Sequence, residues 1–581
     1  MKNEFRRVQK MNASKVLLEM LKSYNVSHVF GLPGETTLNL YEQWHDYPDV
    51  IHVMARDERS AVFMADGYAK ASYKPGVCEG PSVGATHMLP GVAEAYKASV
   101  PMVVFTSDIP LHLKKHNMLT EIDQTALFSG VTKETITVSD PSEIPHVIRR
   151  AFRLATGGKP GPVHIRLPMD ILGGEIDNPQ ILAQEDFASY PGHRSTAQED
   201  RIHSAVKLLA LSSRPVIVCG QGVLWSQAWD EVQILAELFD APVGTTISAK
   251  GSISENHHLS IGVIGARGGT SLSNGVVAGA DLIMFIGCNT DSASTVKWTL
   301  PPFYSAAKVI HLDISEAEAG NNYPTDIFLI GDAKATLRKM INIAPSKSDP
   351  DNTTRLEALK KAKESYDNQI SELSATDETP IHPLRFVKEL TGAIPNEYVM
   401  VVDVGVSAIY TSSFFKVRRA GRSVLYNYAM GSLGYALPAS IGAQFARPNS
   451  CIVTLMGDGS FGFTAGELET LSRLGGNNNV ILFNNSSFGW IKAAATFSHG
   501  PEYAGFATGF SDVDYPRIAE GFGLRAYSVD GPGELGPTLR EAFALDEPTF
   551  IELRVMPEDE LVPPVPSWIR RAGGLGLRYV G

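Results

Sequence analysis

The stretch from Cys451 to Asn485 leaves this chain few folds to choose from. Cys451-Ile-Val-Thr-Leu-Met456 is a short apolar run of the buried-strand type, and Gly457-Asp458-Gly459-Ser460 follows it as a tight turn. Between Phe463 and Leu474, apolar residues recur at 463, 468, 471 and 474, which predicts a helix. Val480-Ile-Leu-Phe483 is a second strand and runs into Asn484-Asn485. In a parallel strand–helix–strand unit the two strands lie side by side with their C-terminal ends together. Asp458 and Asn485, whose Gly-Asp-Gly and Asn-Asn motifs stand 24 residues apart (460–483), then converge on one point. The turn at Gly459-Ser460 opens a helix, and its N–H groups suit a phosphate. A carboxylate, an amide oxygen and a phosphate cradle together form a hard-oxygen site for Mg²⁺. From this segment alone, an ordinary strand–helix connection with glycine in its turn is the alternative.

The same alternation extends along the chain. Strand-like runs at Val26–Phe30, Val100–Thr106 and Val163–Leu167 mark a first block over residues 1–185. A second, 190–345, carries Pro215-Val-Ile-Val-Cys219, Asp281-Leu-Ile-Met-Phe-Ile286 and Lys308-Val-Ile-His-Leu312. Residues 346–379 are charged and show no buried strand, which predicts a linker with an exposed helix. A third block spans 380–558, and 559–581 forms a tail rich in proline and glycine. Strands alternating with helices predict an α/β chain of three doubly wound parallel-sheet domains. A net charge of −12 with a pI near 5.7 argues against nucleic acid or a membrane surface as partner. Met1–Arg7 is charged with no apolar signal core behind it, and Cys78, Cys219, Cys288 and Cys451 all sit in or beside apolar runs. A cytoplasmic protein with buried free thiols is expected.

Three further segments join the motif. Val399-Met-Val-Val-Asp403-Val-Gly405-Val406-Ser407 is a buried strand ending in a phosphate-compatible turn. Gly431-Ser432-Leu433-Gly434 precedes an apolar helix, and Glu58 opens the helix ending Ala65-Asp66-Gly67-Tyr68-Ala69. With the Gly-Asp-Gly…Asn-Asn spacing, these segments resemble the thiamine-diphosphate enzymes, in the acetolactate synthase/pyruvate decarboxylase branch. The resemblance covers nearly the whole chain. It implies pyrimidine-binding, central and diphosphate-binding domains, with Mg²⁺ held by Asp458, Asn485 and the main chain of Ser487. Gly405, Val406, Ser407, Gly457, Gly459 and Ser460 are implied around the diphosphate, and Gly431, Ser432 and Leu433 around the pyrimidine, with Leu433 as the wedge that bends the cofactor. Glu58 is implied to bond the pyrimidine ring nitrogen, where a carboxyl group drives the proton relay that activates the cofactor. In the family Glu58 and the metal motif belong to different subunits, so a homodimer or homotetramer with active sites at the subunit interface is expected.

Departures from the branch fall in the first block. Ser82-Val83-Gly84-Ala85-Thr86-His87 replaces a Gly-Pro-Gly-Ala-Thr-Asn segment, and Leu119-Thr120 replaces Phe-Gln. The loop Cys288-Asn289-Thr290-Asp291 stands where relatives carry an Arg-Phe-Asp-Asp stretch for a structural FAD, so FAD is not carried over. Glu35 follows Gly-Leu-Pro-Gly as in the decarboxylases, and His116 falls where they carry a histidine pair. Glu35, His87 and His116 are therefore candidates for proton transfer. The expected reaction is decarboxylation of a small, pyruvate-like 2-oxoacid, with the acyl carbanion equivalent passed to an aldehyde, a ketone or a proton. The alternative is a non-decarboxylating lyase, hydrolase or acyltransferase acting on a hydroxyketone, dione or sulfonated aldehyde.

Overall fold

The computed structural model describes residues 9–345, 352–569 and 578–579; the charged N-terminal residues 1–7 and most of the final dozen lie outside them. The chain divides into two compact units. One is built from residues 9–193, 429–448 and 464–474; the other comprises 194–428, 449–463 and the rest from 475.

The first unit carries a six-stranded parallel sheet of β1 (His28–Gly31), β2 (Ile51–Met54), β3 (Gly76–Gly80), β4 (Met102–Asp108), β5 (Glu134–Thr137) and β6 (Pro162–Pro168), in the order β2-β1-β3-β4-β6-β5. β3, β4 and β6 are buried along their whole length. Helix α1 (Glu58–Ser72) is buried almost all round, and α2 (Gly84–Lys97) lies beside it. Burial on every side of α1 is possible because a second helix, Ala436–Ala446, packs against it. Gly67 and Gly442 are where the two backbones meet: a Cβ on Gly67 would overlap the Ala439 carbonyl, and one on Gly442 the Met64 carbonyl. Beside this crossing the Asp66 carboxylate pairs through Oδ1 with Lys70 at 2.7 Å and accepts on the same oxygen from Tyr435 Oη at 2.5 Å, so the two buried charges neutralise each other.

The second unit holds two parallel sheets. β7 (Pro215–Cys219), β8 (Val243–Thr245), β9 (Ser260–Val263), β10 (Leu282–Ile286), β11 (Lys308–Asp313) and β12 (Ile327–Ile330) run in the order β9-β8-β7-β10-β11-β12, the dinucleotide-fold arrangement. β13 (Tyr398–Val402), β14 (Val424–Tyr426), β15 (Cys451–Gly457), β16 (Asn478–Asn484), β17 (Arg525–Val529) and β18 (Thr549–Arg554) run β14-β13-β15-β16-β18-β17. That order repeats the order of the first unit's sheet strand for strand, although the sequence shows no short-period repeat. Lys250 Nζ ties the two sheets of this unit together, donating to Glu255 at 2.7 Å and to the Ser412 carbonyl at 2.9 Å.

The α/β fold with three parallel sheets is as expected. Local boundaries differ in instructive ways. The helix anticipated from Phe463 begins at Glu467, because the chain first makes the short helix Asp458–Phe461 and turns through Gly462 and Gly466. The helix anticipated within the 346–379 linker is Asn352–Leu373, which takes up most of that stretch. Residues 559–569, anticipated as tail, fold back onto the sheet unit, whereas 570–577 and 580–581 lie outside the described residues. All four cysteines are buried and free. Among the described residues no helix is long and apolar enough to cross a membrane.

Candidate functional site

Parallel strands deliver their following loops to one edge of a sheet, and the functional residues of the second unit lie on that edge. β13 ends in Asp403, and Gly405 (φ 121°) starts helix α3 (Val406–Phe414) in a backbone conformation that favours glycine. A Cβ on Gly405 would meet nothing within 4 Å, so the space before the turn is open. Neighbouring β15 ends in Gly457 and Asp458, and Ser460 Oγ donates to Asp403 Oδ2 at 2.5 Å, locking the two turns together. Ser407 is buried on the first turn of α3.

β16 carries Asn484 and Asn485 to the same edge. Ser486 (φ 53°) folds the loop back, so that Ser487 N–H donates to Asp458 Oδ2 at 3.2 Å and to Asn485 Oδ1 at 3.2 Å. Asp458 also accepts from Gly459 N–H at 2.8 Å. Burial nevertheless pushes its carboxyl up to about 6, since backbone dipoles offset only part of the desolvation. The Asp458 carboxylate and the Asn485 amide oxygen, brought together on the Ser487 N–H, are hard-oxygen ligands suited to Mg²⁺. The residues therefore fit a metal-bound diphosphate.

Glu558, just beyond β18, stands in this cluster without having been anticipated. Its buried Oε2 accepts from Asn485 Nδ2 at 2.6 Å. Burial, reinforced by the charges of Asp458 and Asp559, pushes its carboxyl up to about 7. The only sequence signal was a Glu at the end of a strand on the motif-bearing sheet.

The first unit brings together a different set. Glu58 is the first residue of α1, 7% exposed, and among the described residues His87 is the one side chain hydrogen-bonded to it, Nδ1 to Oε2 at 2.9 Å. Gly84, at the start of α2, supplies the space: a Cβ there would stand 2.6 Å from Glu58 Oε1. In the same unit Gly431 (φ 74°), Ser432 and Leu433 form a half-buried turn ahead of helix α4, which is Ala436–Ala446. Glu94 of α2 fixes that turn, accepting from the N–H groups of Ala429, Met430 and Ser432 at 3.2, 3.1 and 3.4 Å. Glu94 is fully buried, with its carboxyl pushed up to about 7 by burial, and was not anticipated. A charged residue on an otherwise apolar helix face was its only trace in the sequence.

Glu35 and His116 are placed differently. Glu35 is exposed on the 3₁₀ turn Glu35–Thr37, and His116 is exposed on the loop after β4. Their loops do meet through Ser82, whose N–H donates to Thr36 Oγ1 at 3.0 Å and whose Oγ donates to the Thr120 carbonyl at 3.0 Å. The first-block segments that depart from the expected pattern thus form one connected surface.

Known proteins resemble this chain along most of its length. Residues 11–127 match the family described as "Thiamine pyrophosphate enzyme, N-terminal TPP binding domain", 202–340 the central domain of that family, and 403–553 its C-terminal TPP binding domain. The chain is 34% identical over 566 residues to a "Probable acetolactate synthase large subunit" of Methanocaldococcus jannaschii, covering 95% of this chain and 94% of that protein. A protein of the same description from Methanococcus aeolicus is 33% identical over 570 residues, covering 95% and 94%. An "Acetolactate synthase large subunit" of Lactococcus lactis is 29% identical over 576 residues, covering 98% and 96%.

Proposed function

Because the chain belongs to the thiamine-pyrophosphate-dependent enzymes, in the branch resembling acetolactate synthase, we propose that it decarboxylates a small, pyruvate-like 2-oxoacid and joins the remaining acyl fragment to an aldehyde or ketone, or releases it with a proton. The observation that carries this reading is the Asp458–Ser487–Asn485 cluster on a turn-lined sheet edge. The relatives' description as acetolactate synthases favours it over the non-decarboxylating alternative.

Bound thiamine diphosphate supplies an electron sink for the pair left behind when the carboxylate departs as CO₂. The chain's own residues bind and orient around it. Asp458, Asn485 Oδ1 and the Ser487 carbonyl hold Mg²⁺ in this reading, while the turns Gly405–Ser407 and Gly457–Ser460 present N–H groups to the diphosphate. Gly431, Ser432 and Leu433 grip the aminopyrimidine, on a turn that Glu94 holds rigid. Glu58 would be the carboxyl group that holds or gives up a proton at the pyrimidine ring, and its Oε2 is hydrogen-bonded to His87 Nδ1 at 2.9 Å. Glu35 and His116 lie on the loop surface around Ser82, where proton transfer to the product would occur. The working form is a cytoplasmic homodimer or homotetramer in which one copy supplies Glu58 and another the metal site. Mixing inactive Glu58→Ala and Asp458→Ala proteins then restores part of the activity, and a mixture that stays inactive after subunit exchange refutes that arrangement.

The test of the reaction is to incubate the protein with thiamine diphosphate, Mg²⁺ and a panel of 2-oxoacids and aldehydes, and to identify products by mass. Hydroxyketone products with CO₂ release support the reading; no CO₂ from any 2-oxoacid refutes it.

A further inference from the structure

Glu558 is anchored by a strap that crosses helix α6 (Gly489–His499), the helix that follows the Asn484–Ser487 loop. At its root, the Glu558 carboxylate bonds Asn485 Nδ2 at 2.6 Å. The next residue, Asp559, pairs with Lys492 of α6 at 3.1 Å. Farther along, Trp568 packs on Trp490 and Phe497, with ring centroids 4.4 and 5.5 Å away, and Val565 is buried in the same cluster. Trp490 also carries the Arg267 guanidinium 4.6 Å from its ring centroid. At the start of α6, Gly489 leaves the space that Glu558 uses, since a Cβ there would overlap both Glu558 Oε2 and Asn485 Nδ2.

An asparagine side chain has two ends of nearly equal shape and opposite function, and only its oxygen can face a cation. In its ionised form the Glu558 carboxyl accepts and cannot donate, so it selects the NH₂ end. Ser487 selects the other end, its N–H and Oγ donating to Asn485 Oδ1 at 3.2 and 3.1 Å. We propose that Glu558 is a positioning residue of the metal site, holding the Asn485 amide with Oδ1 toward the cation, and that the strap from Glu558 to Trp568 keeps it there. The inference rests on Asp458 and Asn485 being the Mg²⁺ ligands.

The test is titration of Mg²⁺ into the full-length protein at saturating thiamine diphosphate, read by calorimetry and independent of turnover. Groups that orient metal ligands typically contribute about 10- to 100-fold in affinity. Glu558→Ala is expected to weaken Mg²⁺ binding by that factor, and Gly489→Ala to weaken it at least as much by displacing the carboxylate and the Asn485 amide together. Glu558→Gln keeps an acceptor for Nδ2 and retains most of the affinity, with the melting temperature of the metal-free protein unchanged. Affinity within twofold of wild type in both Glu558→Ala and Gly489→Ala overturns the proposal. So does equal loss in the Gln and Ala variants, which makes charge rather than orientation the cause. Asp458→Ala separates the two levels: if it too binds Mg²⁺ normally, the metal-site reading itself fails, and if it alone loses binding, only the role of Glu558 fails.

Discussion

Gly84→Ala moves the Glu58 carboxylate without changing its chemistry. The new Cβ would stand 2.6 Å from Glu58 Oε1, whereas ordinary contacts begin near 3.4 Å. The carboxylate must therefore shift by roughly 0.8 Å, the difference between those two distances. Folding is expected to suffer little, because the Cβ meets only the Glu58 side chain, at Oε1, Cγ and Cδ 2.6–2.8 Å away, and alanine favours the helix by up to about 1 kcal/mol over glycine. Catalysis is expected to suffer, since a misplacement of about 1 Å in a reacting group can cost on the order of 10²-fold, or ~2.7 kcal/mol. The assay compares kcat for CO₂ release with thermal melting and with thiamine diphosphate affinity in the same protein. Turnover should fall roughly a hundredfold while melting temperature and cofactor affinity hold. Wild-type turnover in a variant shown to be folded would falsify the assignment of Glu58 as the group that must be exactly placed for activation.

Removing Mg²⁺ with a chelator should abolish turnover, and Mg²⁺ added back should restore it in wild type but not in Asp458→Ala; restoration in the variant counts against Asp458 as a ligand. Gly67→Ala should destabilise the first unit by about 1–3 kcal/mol, as overpacking does, because its Cβ would overlap the Ala439 carbonyl; an unchanged melting curve contradicts the packing account. His164 is buried between Thr106 Oγ1 and Thr135 Oγ1, at 2.6 and 2.5 Å, and burial, aided by the Arg166 charge, pushes it down to about 3. Its folded value lies below the unfolded 6.5, so the unfolded chain binds the extra proton and stability falls as pH drops from about 6.5 toward 3. His164→Gln should flatten that part of the stability–pH curve, and an unaltered slope refutes it.

What the sequence makes legible is what it stores locally. The Asp458 and Asn485 pairing follows from one strand–helix–strand unit, and Ser487 comes with the loop that unit ends in. Glu58 and Leu433 are legible only through resemblance, because nothing in their own surroundings marks them. Glu558 and Glu94 escape notice for a physical reason. Each acts on a segment far away in the chain, Asn485 lying 73 residues from Glu558 and Ala429 lying 335 from Glu94, so only the folded sheet and helix packing bring donor and acceptor together. The late start of the helix at Glu467 has a simpler cause, since apolar spacing registers a helical face but not the turns at Gly462 and Gly466 that delay it.

The most direct measurement follows label from pyruvate carrying ¹³C at its carboxyl carbon, in protein loaded with thiamine diphosphate and Mg²⁺. The account predicts that the label leaves as CO₂, that the unlabelled fragment appears bonded to a carbonyl acceptor, and that Glu58→Gln slows both by on the order of 10²- to 10⁴-fold. Label retained in the products, or Glu58→Gln turning over at the wild-type rate, contradicts it.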